Sequence, residues 1–224
     1  MCIRNILYVS YDGLTDPVAD SQVIPYLIEL TKRGHRILIL SFEKPAKEAL
    51  IAGVSEKLAP YGIEWIRTRY TKKPPVISTV RDIKRGLKLA RKIITENKID
   101  LIHARSYISA LLAIKLKKKT PVPFVFDMRG FWVDERVDGG LWSLKNPLYK
   151  SIYKWFKKKE KQLLAESAHI VSLTYNAKEI LETQFGIDPE KISVIACAAD
   201  YDLFDPEKIS GHEKMALRKD LGIT

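Results

Sequence analysis

Cysteine is scarce in this sequence, which has only Cys2 and Cys197 among its 224 residues. The two lie far apart and outside any spacing that zinc ligands use. A scaffold held by disulfides and a structural zinc site are therefore both disfavoured. So few cysteines fit a reducing compartment, and we expect a cytoplasmic protein.

Long apolar runs and a secretory leader are also missing. No stretch of about 18 residues is uncharged and apolar, as a membrane-spanning helix would require. Residues 1–8 enter a strand-like run directly, without the charged and apolar regions of a signal peptide. Both absences agree with the cytoplasmic location that the cysteine usage favours.

Three glycine-rich motifs of common nucleotide-binding and hydrolytic enzymes do not occur. The turn after the first predicted strand has only Gly13, and no G-x-G-x-x-G follows it. G-x-x-x-x-G-K-[ST] and G-x-S-x-G are absent as well. A dinucleotide-dependent dehydrogenase, a P-loop NTPase and a hydrolase with a nucleophile elbow are thus disfavoured.

Positive charge is plentiful, with a formal net charge of +11. Such a balance favours a polyanionic neighbour: nucleic acid, an anionic membrane surface or phosphorylated substrates. Nucleic acid is the least favoured of these, because the basic residues fall on predicted helix faces without interleaved aromatic residues. Since 46% of the residues are hydrophobic, the chain can bury one core or two small ones.

Short β-rich runs alternate with longer segments of helical period, which predicts a parallel sheet covered by helices. The runs are nearly continuous Ile, Val, Leu and Phe, as in strands buried on both faces. The sequence therefore predicts an α/β fold, a Rossmann-like doubly wound parallel sheet of about seven strands. They are expected near Asn5–Ser10, Arg36–Phe42, Ile63–Tyr70, Leu101–Arg105, Pro123–Met128, His169–Thr174 and Ile192–Ala196.

Helix boundaries follow from capping signals. We predict that Ser21 is the N-cap of a helix over Gln22–Lys32 and that Gly34 ends it. A second helix, Asn176–Phe185, is expected to end at Gly186. Residues 129–147 are long for a connection and rich in Asp, Gly and Trp, and are predicted to form a functional loop over the carboxyl edge of the sheet.

Polar residues gather where the predicted strands end, which is where parallel sheets bind ligands. His103 and Arg105 share one side of the fourth strand, and Asp127 and Arg129 share one side of the fifth. His103 is either a hydrogen-bonded part of the wall or a contact to a sugar or phosphate. Arg129 is either the ion-pair partner of Asp127 or a contact to a substrate phosphate or carboxylate.

The acidic run that follows has two interpretations. Asp134, Glu135 and Asp138, with Arg136 among them, could act as a base or as metal ligands, or they could form a solvated acidic loop. The second is the commoner situation.

A lysine-rich amphipathic helix is predicted around Tyr149–Lys161. Its apolar stripe contains Glu160, which needs a buried partner. The lysines are either a solvated face or, with Trp155 beside them, a surface that rests on anionic lipid.

Several segments, taken together and in order, form a set that is more specific than any single motif. They are 11–17 (YDGLTDP), 21–27 (SQVIPYL), 33–35 (RGH), 100–105 (DLIHAR), 126–140, Glu160 with 163–168 (LLAESA), 189–195 (PEKISVI), Asp200 and Phe204. This ordered set covers almost the whole chain and resembles one family, the retaining family-4 glycosyltransferases with the GT-B fold.

The resemblance implies that the chain is the amino-terminal half of a GT-B enzyme. Residues 1–204 would form the Rossmann-like domain on the acceptor side, and 205–224 a linker towards a carboxyl-terminal domain that binds the nucleotide-sugar. The enzyme would transfer a hexose from a nucleotide-sugar to a glycan or a lipid-linked acceptor, with retention, without a metal or other cofactor. This half alone is expected to be inactive, and the membrane contact would be peripheral, at the inner face of the cell membrane.

The resemblance also suggests site residues. Arg129 and Asp127 are predicted as catalytic. The predicted substrate-binding residues are Gly13, Asp16, Ser21, Gln22, His103, Arg105, Gly130, Asp134, Glu135 and Arg136.

Two positions depart from the family pattern. Where the family often has paired glycines in its first loop, this chain has Val18-Ala19. Where it often has a histidine after the fifth strand, this chain has Arg129-Gly130. Arg129 is therefore taken as a site residue without the histidine's role.

Two other functions remain open at this point. A GT-B-like nucleotide-sugar epimerase would share the architecture but use no acceptor. A non-catalytic basic binding module would share the charge, but it would not need His103, Arg105, Asp127 and Arg129 at strand ends.

Overall fold

The structure is a computed structural model that describes residues 3–74, 76–198 and 205–223. Its strands are parallel and form one sheet in the order β3-β2-β1-β4-β5-β6-β7. Their bounds are β1 Asn5–Ser10, β2 Arg36–Glu43, β3 Glu64–Arg69, β4 Leu101–Arg105, β5 Phe124–Asp127, β6 His169–Ser172 and β7 Ile192–Val194. The predicted seven-stranded parallel α/β sheet is confirmed.

Helices cover both faces of the sheet, as the continuous apolar strands require. One core packs the sheet against α4, α5, α7 and α8, and the other packs it against α2 and α3. The helices of the described residues are α1 Pro17–Gln22, α2 Ile24–Lys32, α3 Ile51–Leu58, α4 Ile77–Asn97, α5 Ser106–Lys117, α6 Trp132–Asp138, α7 Pro147–Glu166, α8 Tyr175–Phe185 and α9 Gly211–Asp220. None of them combines the length and apolarity needed to cross a bilayer.

The prediction that Ser21 caps a helix is wrong, because Ser21 lies inside α1. Asp16 is extended and Pro17 opens α1, so the helix begins five residues earlier than expected. Pro25 has no N–H to donate to the carbonyl of Ser21, and the chain restarts as α2 with Val23 as its N-cap. The predicted ends at Gly34 and Gly186 are confirmed by their positive φ angles of 91° and 64°.

Residues 129–147 are not a plain loop, since they contain α6. Trp132 at its start packs edge-on against Phe156, with ring centroids 5.1 Å apart, and this contact fixes the short helix on α7. Asp134 and Glu135 lie in its first turn, where carboxylates favour a helix N-terminus.

The end of the chain stands apart from both cores. Every described residue of α9 is exposed. The predicted boundary near residue 204, with Asp200 and Phe204, lies outside the described residues.

Candidate functional site

A cluster of charged side chains lies at the carboxyl ends of β4 and β5. The sheet register pairs Arg105 with Asp127, and the two-residue alternation places His103 on the same face. All three side chains are buried. Strand order and alternation alone thus bring these predicted residues together.

Three basic side chains surround the single carboxylate of Asp127. His103 Nε2 lies 3.4 Å from Asp127 Oδ2, Arg105 Nη1 lies 3.9 Å from the same oxygen, and Arg129 Nη1 lies 3.9 Å from Oδ1. The two arginine distances exceed hydrogen-bond length. Two guanidinium groups and one carboxylate leave this strand edge with a positive charge.

Two polar atoms of the cluster have no hydrogen-bond partner among the described residues. They are Arg105 Nη1 and Asp127 Oδ1. Buried polar atoms are nearly always paired in folded proteins, so an unpaired buried donor calls for a partner such as a ligand or water. Arg105 Nη1 is therefore a donor that is ready for an anionic ligand.

Gln22 connects the arginines to the other side of the site. Its Oε1 accepts from Arg105 Nη2 at 3.3 Å and from Arg129 Nη2 at 2.5 Å. Arg129 Nη2 also lies 3.1 Å from the sulfur of Cys197, and the Arg129 side chain keeps 19% of its surface exposed. Gln22 thus holds both guanidinium groups at one point, with Arg129 nearer the solvent.

The backbone is strained where β4 and β5 end. Arg129 has φ 62° and Ser106 has φ 64°, a left-handed conformation that side chains with a Cβ rarely adopt. Gly130 follows with φ 142°, which only glycine adopts readily. Strain of this kind concentrates at functional sites. Here it turns Arg129 out of the strand direction and towards Gln22.

Two tyrosines form the wall behind His103. The rings of Tyr8 and Tyr26 lie 4.8 and 5.7 Å from the imidazole. Burial raises the pKa of Tyr8 above its ordinary value, although Arg105 pulls the other way. Burial, together with the negative charge of Asp127, raises the pKa of Tyr26 to about 12. Both phenols therefore stay neutral across the physiological range.

The loop after β1 is held from within the protein. The buried carboxylate of Glu43 accepts from the backbone N–H groups of Leu14 and Thr15 and from the Thr15 hydroxyl. A Cβ on Gly13 would lie 2.5 Å from Glu43 Oε2, so only glycine fits without displacing this carboxylate. These amides are thus occupied by Glu43 rather than open to a donor phosphate.

Asp16 and Ser21 lie outside the charged cluster. Burial alone would raise the pKa of the Asp16 carboxyl, but its ion pairs with Lys44 at 2.8 Å and Lys47 at 2.6 Å together outweigh burial and lower the pKa. Ser21 is exposed and donates to the Val18 carbonyl at 3.4 Å. A substrate contact for either residue stays a prediction.

The predicted acidic residues lie on α6. Asp134 accepts from the Tyr153 hydroxyl at 2.7 Å and from Lys157 Nζ at 2.9 Å. The Arg136 guanidinium stands 4.6 Å over the Trp132 ring, and Glu135 is exposed beside Gly130. Within the described residues, no three His, Cys, Asp or Glu side chains are placed to hold a metal ion.

The buried Glu160 has one charged neighbour and one hydrogen-bond donor. Lys157 Nζ lies 2.5 Å from Oε1, and the Tyr107 hydroxyl donates to Oε2. Burial alone would lower the pKa of Lys157, but its hydrogen bonds to Asp134 and Glu160 outweigh that and raise the pKa. This group holds α7 against α5 and α6.

Two cavities open at the same edge of the sheet. The smaller, about 640 Å³, is lined by Arg129 and Gly130 together with Asp134 and Glu135. The larger, about 800 Å³, is lined mainly by aromatic and aliphatic side chains from α4, α5 and α7 and from the segment 132–142. The sequence reasoning missed this groove. Its one signal was the density of aromatic residues in 131–156.

Comparisons with known proteins fall on this same architecture. The sequence model of Glycosyltransferase Family 4 matches residues 26–203. No curated protein sequence matches the chain.

Solved structures that resemble the chain include enzymes of sugar metabolism. A glycosyltransferase from Rickettsia africae is 19% identical, with a TM-score of 0.57 over 99% of this chain and 50% of that one. Anabaena HepE, solved with UDP and glucose, is 15% identical, with a TM-score of 0.58 over 98% and 50%. Sucrose-phosphate synthase from Thermosynechococcus elongatus is 13% identical, with a TM-score of 0.67 over 99% and 53%. The chain spans about half the length of each.

Proposed function

Because the chain belongs to Glycosyltransferase Family 4, we propose that it is the acceptor-side half of an enzyme that transfers a hexose from a nucleotide-sugar to an acceptor hydroxyl with retention. The bond from the anomeric carbon to the donor phosphate breaks, and a bond from that carbon to the acceptor oxygen forms. The nucleotide diphosphate leaves and takes up the hydroxyl proton. No metal or other cofactor takes part in this proposal.

The observation that carries the proposal is the incomplete pairing of the arginines at the strand ends. Arg105 is buried with one free donor nitrogen, and Arg129 reaches solvent beside it. Negative charge gathers on the leaving diphosphate in the transition state, and fixed cations in a dry cleft stabilise such charge. Guanidinium groups also match phosphate oxygens in a bidentate geometry. We therefore assign Arg129 and Arg105 to the diphosphate, and Asp127 and Gln22 to holding them in place.

The length of the chain supports a division of labour. It spans about half of the glycosyltransferase structures that it resembles. In the proposed enzyme a further domain grips the nucleotide, and residues 1–224 alone bind the donor weakly and turn over little or nothing. The loop after β1 supports this, because Glu43 already occupies the amides of Leu14 and Thr15.

The enzyme is further proposed to act at the cytoplasmic face of an anionic membrane, in glycan biosynthesis. Four exposed lysines of α7 share one face: Lys150, Lys154, Lys158 and Lys161. Trp155 beside them is 47% exposed. A basic helix with an exposed tryptophan suits peripheral attachment to acidic lipid.

The test is product analysis with the whole natural protein that carries this chain. Incubation with UDP- and GDP-hexoses and a mixed acceptor extract, followed by proton NMR of the product, should show a new glycoside with the anomeric configuration of the donor. Hydrolysis of the donor without transfer to an acceptor would support the assignment of the donor site but not the transfer reaction. Appearance of the donor's epimer without any glycoside would replace this proposal with the epimerase function.

A further inference from the structure

We infer that the larger cavity, called here the aromatic groove, binds a phosphorylated amphiphile: a lipid chain joined through a phosphate or diphosphate to a group that carries a hydroxyl. The groove measures about 800 Å³, within the range of cavities that enclose small organic ligands. The inference rests on the proposed function only in calling this ligand the acceptor. The binding itself is argued from the groove.

The wall of the groove suits an apolar chain. Trp142 stacks on Tyr149 at 6.2 Å and meets Trp132 edge-on at 5.6 Å, so the rings form a continuous surface. Ile152 and Phe156 of α7 extend this surface into the core. Each Å² of apolar ligand surface that is buried against such a wall stabilises the complex by about 25 cal/mol.

The charges of the groove suit a phosphate. Its lining contains two cations, Lys72 and Arg136, and one carboxylate, Asp12, while a third lining cation, Lys44, is already paired with Asp16. Lys72 is exposed in the connection between β3 and α4. The first turn of α4, with Ser78 and Thr79, also faces the groove, and the N-terminus of this long helix adds partial positive charge. An anionic head group is thus the complementary partner.

An oligosaccharide fits the lining less well. Many hydroxyl groups would need many converging polar partners, and most of the lining is apolar. The Tyr11 hydroxyl is already engaged, since it donates to Asp82 Oδ2 at 3.2 Å. Apolar side chains of the lining offer open surface to a long lipid tail, since Val76, Val80 and Trp155 are 51%, 47% and 47% exposed.

The groove and the arginine cluster lie on opposite faces of the sheet and open at one edge. Tyr8 and Tyr26, which wall the cluster, belong to the core under α2, whereas Tyr11 and Trp132 of the groove belong to the core under α4, α5 and α7. Arg105 and Ser106 are neighbours in the chain, the first in the cluster and the second in the groove. A ligand in the groove can therefore bring its head group to the edge where the diphosphate is proposed to leave.

The test is calorimetric titration of the whole natural protein with farnesyl phosphate, with farnesol and inorganic phosphate as matched probes. Farnesyl phosphate should bind at least about 10-fold more tightly than either probe, because both parts of the groove act on one molecule. Lys72→Gln should lower the preference for farnesyl phosphate over farnesol, and Ile152→Asp should weaken both. Lys88→Gln, an exposed lysine on α4 away from the groove, should change neither.

The outcomes separate this inference from the proposed function. Equal binding of farnesol and farnesyl phosphate, or tighter binding of a maltooligosaccharide with the same sensitivity to Ile152→Asp, overturns the inference. Sugar transfer without any farnesyl phosphate binding also overturns it and leaves the proposed function standing. Farnesyl phosphate binding that depends on Lys72, without sugar transfer, supports the inference and counts against the proposed function. Since Lys72 is exposed, its substitution leaves the fold intact even if Ile152→Asp does not.

Discussion

Arg129 is the residue on which the proposed chemistry depends most. Its firmest contact is the 2.5 Å hydrogen bond to Gln22, and its approach to Asp127 is only 3.9 Å. We expect Arg129→Lys to lower kcat/KM of the whole enzyme by about 10-fold to 1000-fold, because a point ammonium cannot reproduce two parallel donors on a diphosphate. The melting temperature should barely change. Steady-state kinetics and thermal denaturation of the same preparation measure both.

The structural account of Arg129 predicts the opposite pattern. If Arg129 served mainly to neutralise the buried Asp127, removing the charge of Arg129 would lower the free energy of unfolding by about 3–5 kcal/mol. Arg129→Met would then lower the melting temperature strongly, and activity per folded molecule would be preserved. Arg67→Lys is the matched control, because Arg67 is exposed on β3 and contacts only the Trp65 ring in the described structure.

Asp16 offers a test by pH. Its pairs with Lys44 and Lys47 lower the pKa of its carboxyl below the ordinary 3.8. When folding lowers the pKa of a carboxyl, the carboxylate stabilises the folded protein fully at a pH above the pKa of the unfolded state. That stabilisation is lost as the pH falls through the pKa of the folded state. Asp16→Asn should therefore cost about 1 kcal/mol at pH 7, and the gap to the wild type should close below about pH 4.

Urea denaturation at pH 7, 5 and 3 measures that gap. Asp20→Asn is the control, since its pair with Lys57 is more than half exposed on both sides and should contribute little. A gap that stays constant down to pH 3 would show that the Asp16 carboxylate is not what the lysines stabilise.

Site residues could be predicted from the sequence only where they lie at the ends of predicted strands. His103, Arg105 and Asp127 meet because alternation and parallel order place them together, and Arg129 reaches them through the left-handed turn after β5. The Glu43 contacts to the loop after β1 span 28 and 29 positions in the chain, and no local pattern indicates them. The aromatic groove was missed for the same reason, because its walls come from helices far apart in sequence.

At the scale of single elements, α4 contains a glycine that helix propensity does not explain. A Cβ on Gly86 would lie 2.6 Å from Phe42 Cζ and 2.7 Å from Leu112 Cδ1, both buried. Gly86→Ala should therefore destabilise the fold by about 1–2 kcal/mol, since overpacking outweighs the gain of about 1 kcal/mol in helix propensity.

The same substitution in α3 is the control. Nothing lies within 4 Å of a Cβ on Gly53, so Gly53→Ala should stabilise the protein by about 0.5–1 kcal/mol. Equilibrium unfolding in urea gives both values. Stabilisation by both substitutions would mean that α4 can move away from β2 and α5 without loss.

Strands were predictable nearly to the residue, and helix breaks were not. The strands β1 and β4 have the predicted bounds because apolar runs buried on both faces stop where polar residues begin. The break between α1 and α2 depends on Pro25, which has no N–H to donate within the helix. Ser21, which the sequence pattern indicates as an N-cap, therefore does not begin the helix. Helix α6 is held by the contact of Trp132 with Phe156, a tertiary effect that residues 129–147 alone do not show.

At the scale of the whole molecule, the sheet separates two kinds of chemistry. The arginine cluster lies above one core, and the aromatic groove above the other, and both open at the carboxyl edge. In the proposed enzyme, charge at the cluster stabilises the leaving group while the groove orients the acceptor. Substitutions in the arginine cluster should change the KM of the donor and leave the KM of the acceptor within about 2-fold, and substitutions in the groove should do the reverse. The reason is that substitutions act independently at sites without shared contacts.

The positive charge of the molecule leads to the last prediction, which concerns membranes. The net charge of +11 is spread over several helices, but among the helices that the structure describes only α7 joins a row of exposed lysines to an exposed tryptophan. Vesicles with 30% or so acidic lipid should therefore float the protein at low salt, and neutral vesicles should not, because each lysine near such a surface contributes about 1 kcal/mol. Recovery should fall steeply at moderate salt, as screening shortens the reach of the charges.

Two charge-matched variants separate a binding face from general basicity. Changing Lys150, Lys154, Lys158 and Lys161 of α7 to glutamine should abolish flotation. Changing Lys84, Lys88, Arg91 and Lys92 of α4 to glutamine removes the same charge from another exposed surface and should leave most of the flotation intact. Trp155→Ala should weaken binding at every salt concentration, because insertion of the ring is not screened. Equal losses from the two charge variants, with no effect of Trp155→Ala, would mean that the lysines of α7 are a solvated face and that attachment depends on net charge alone.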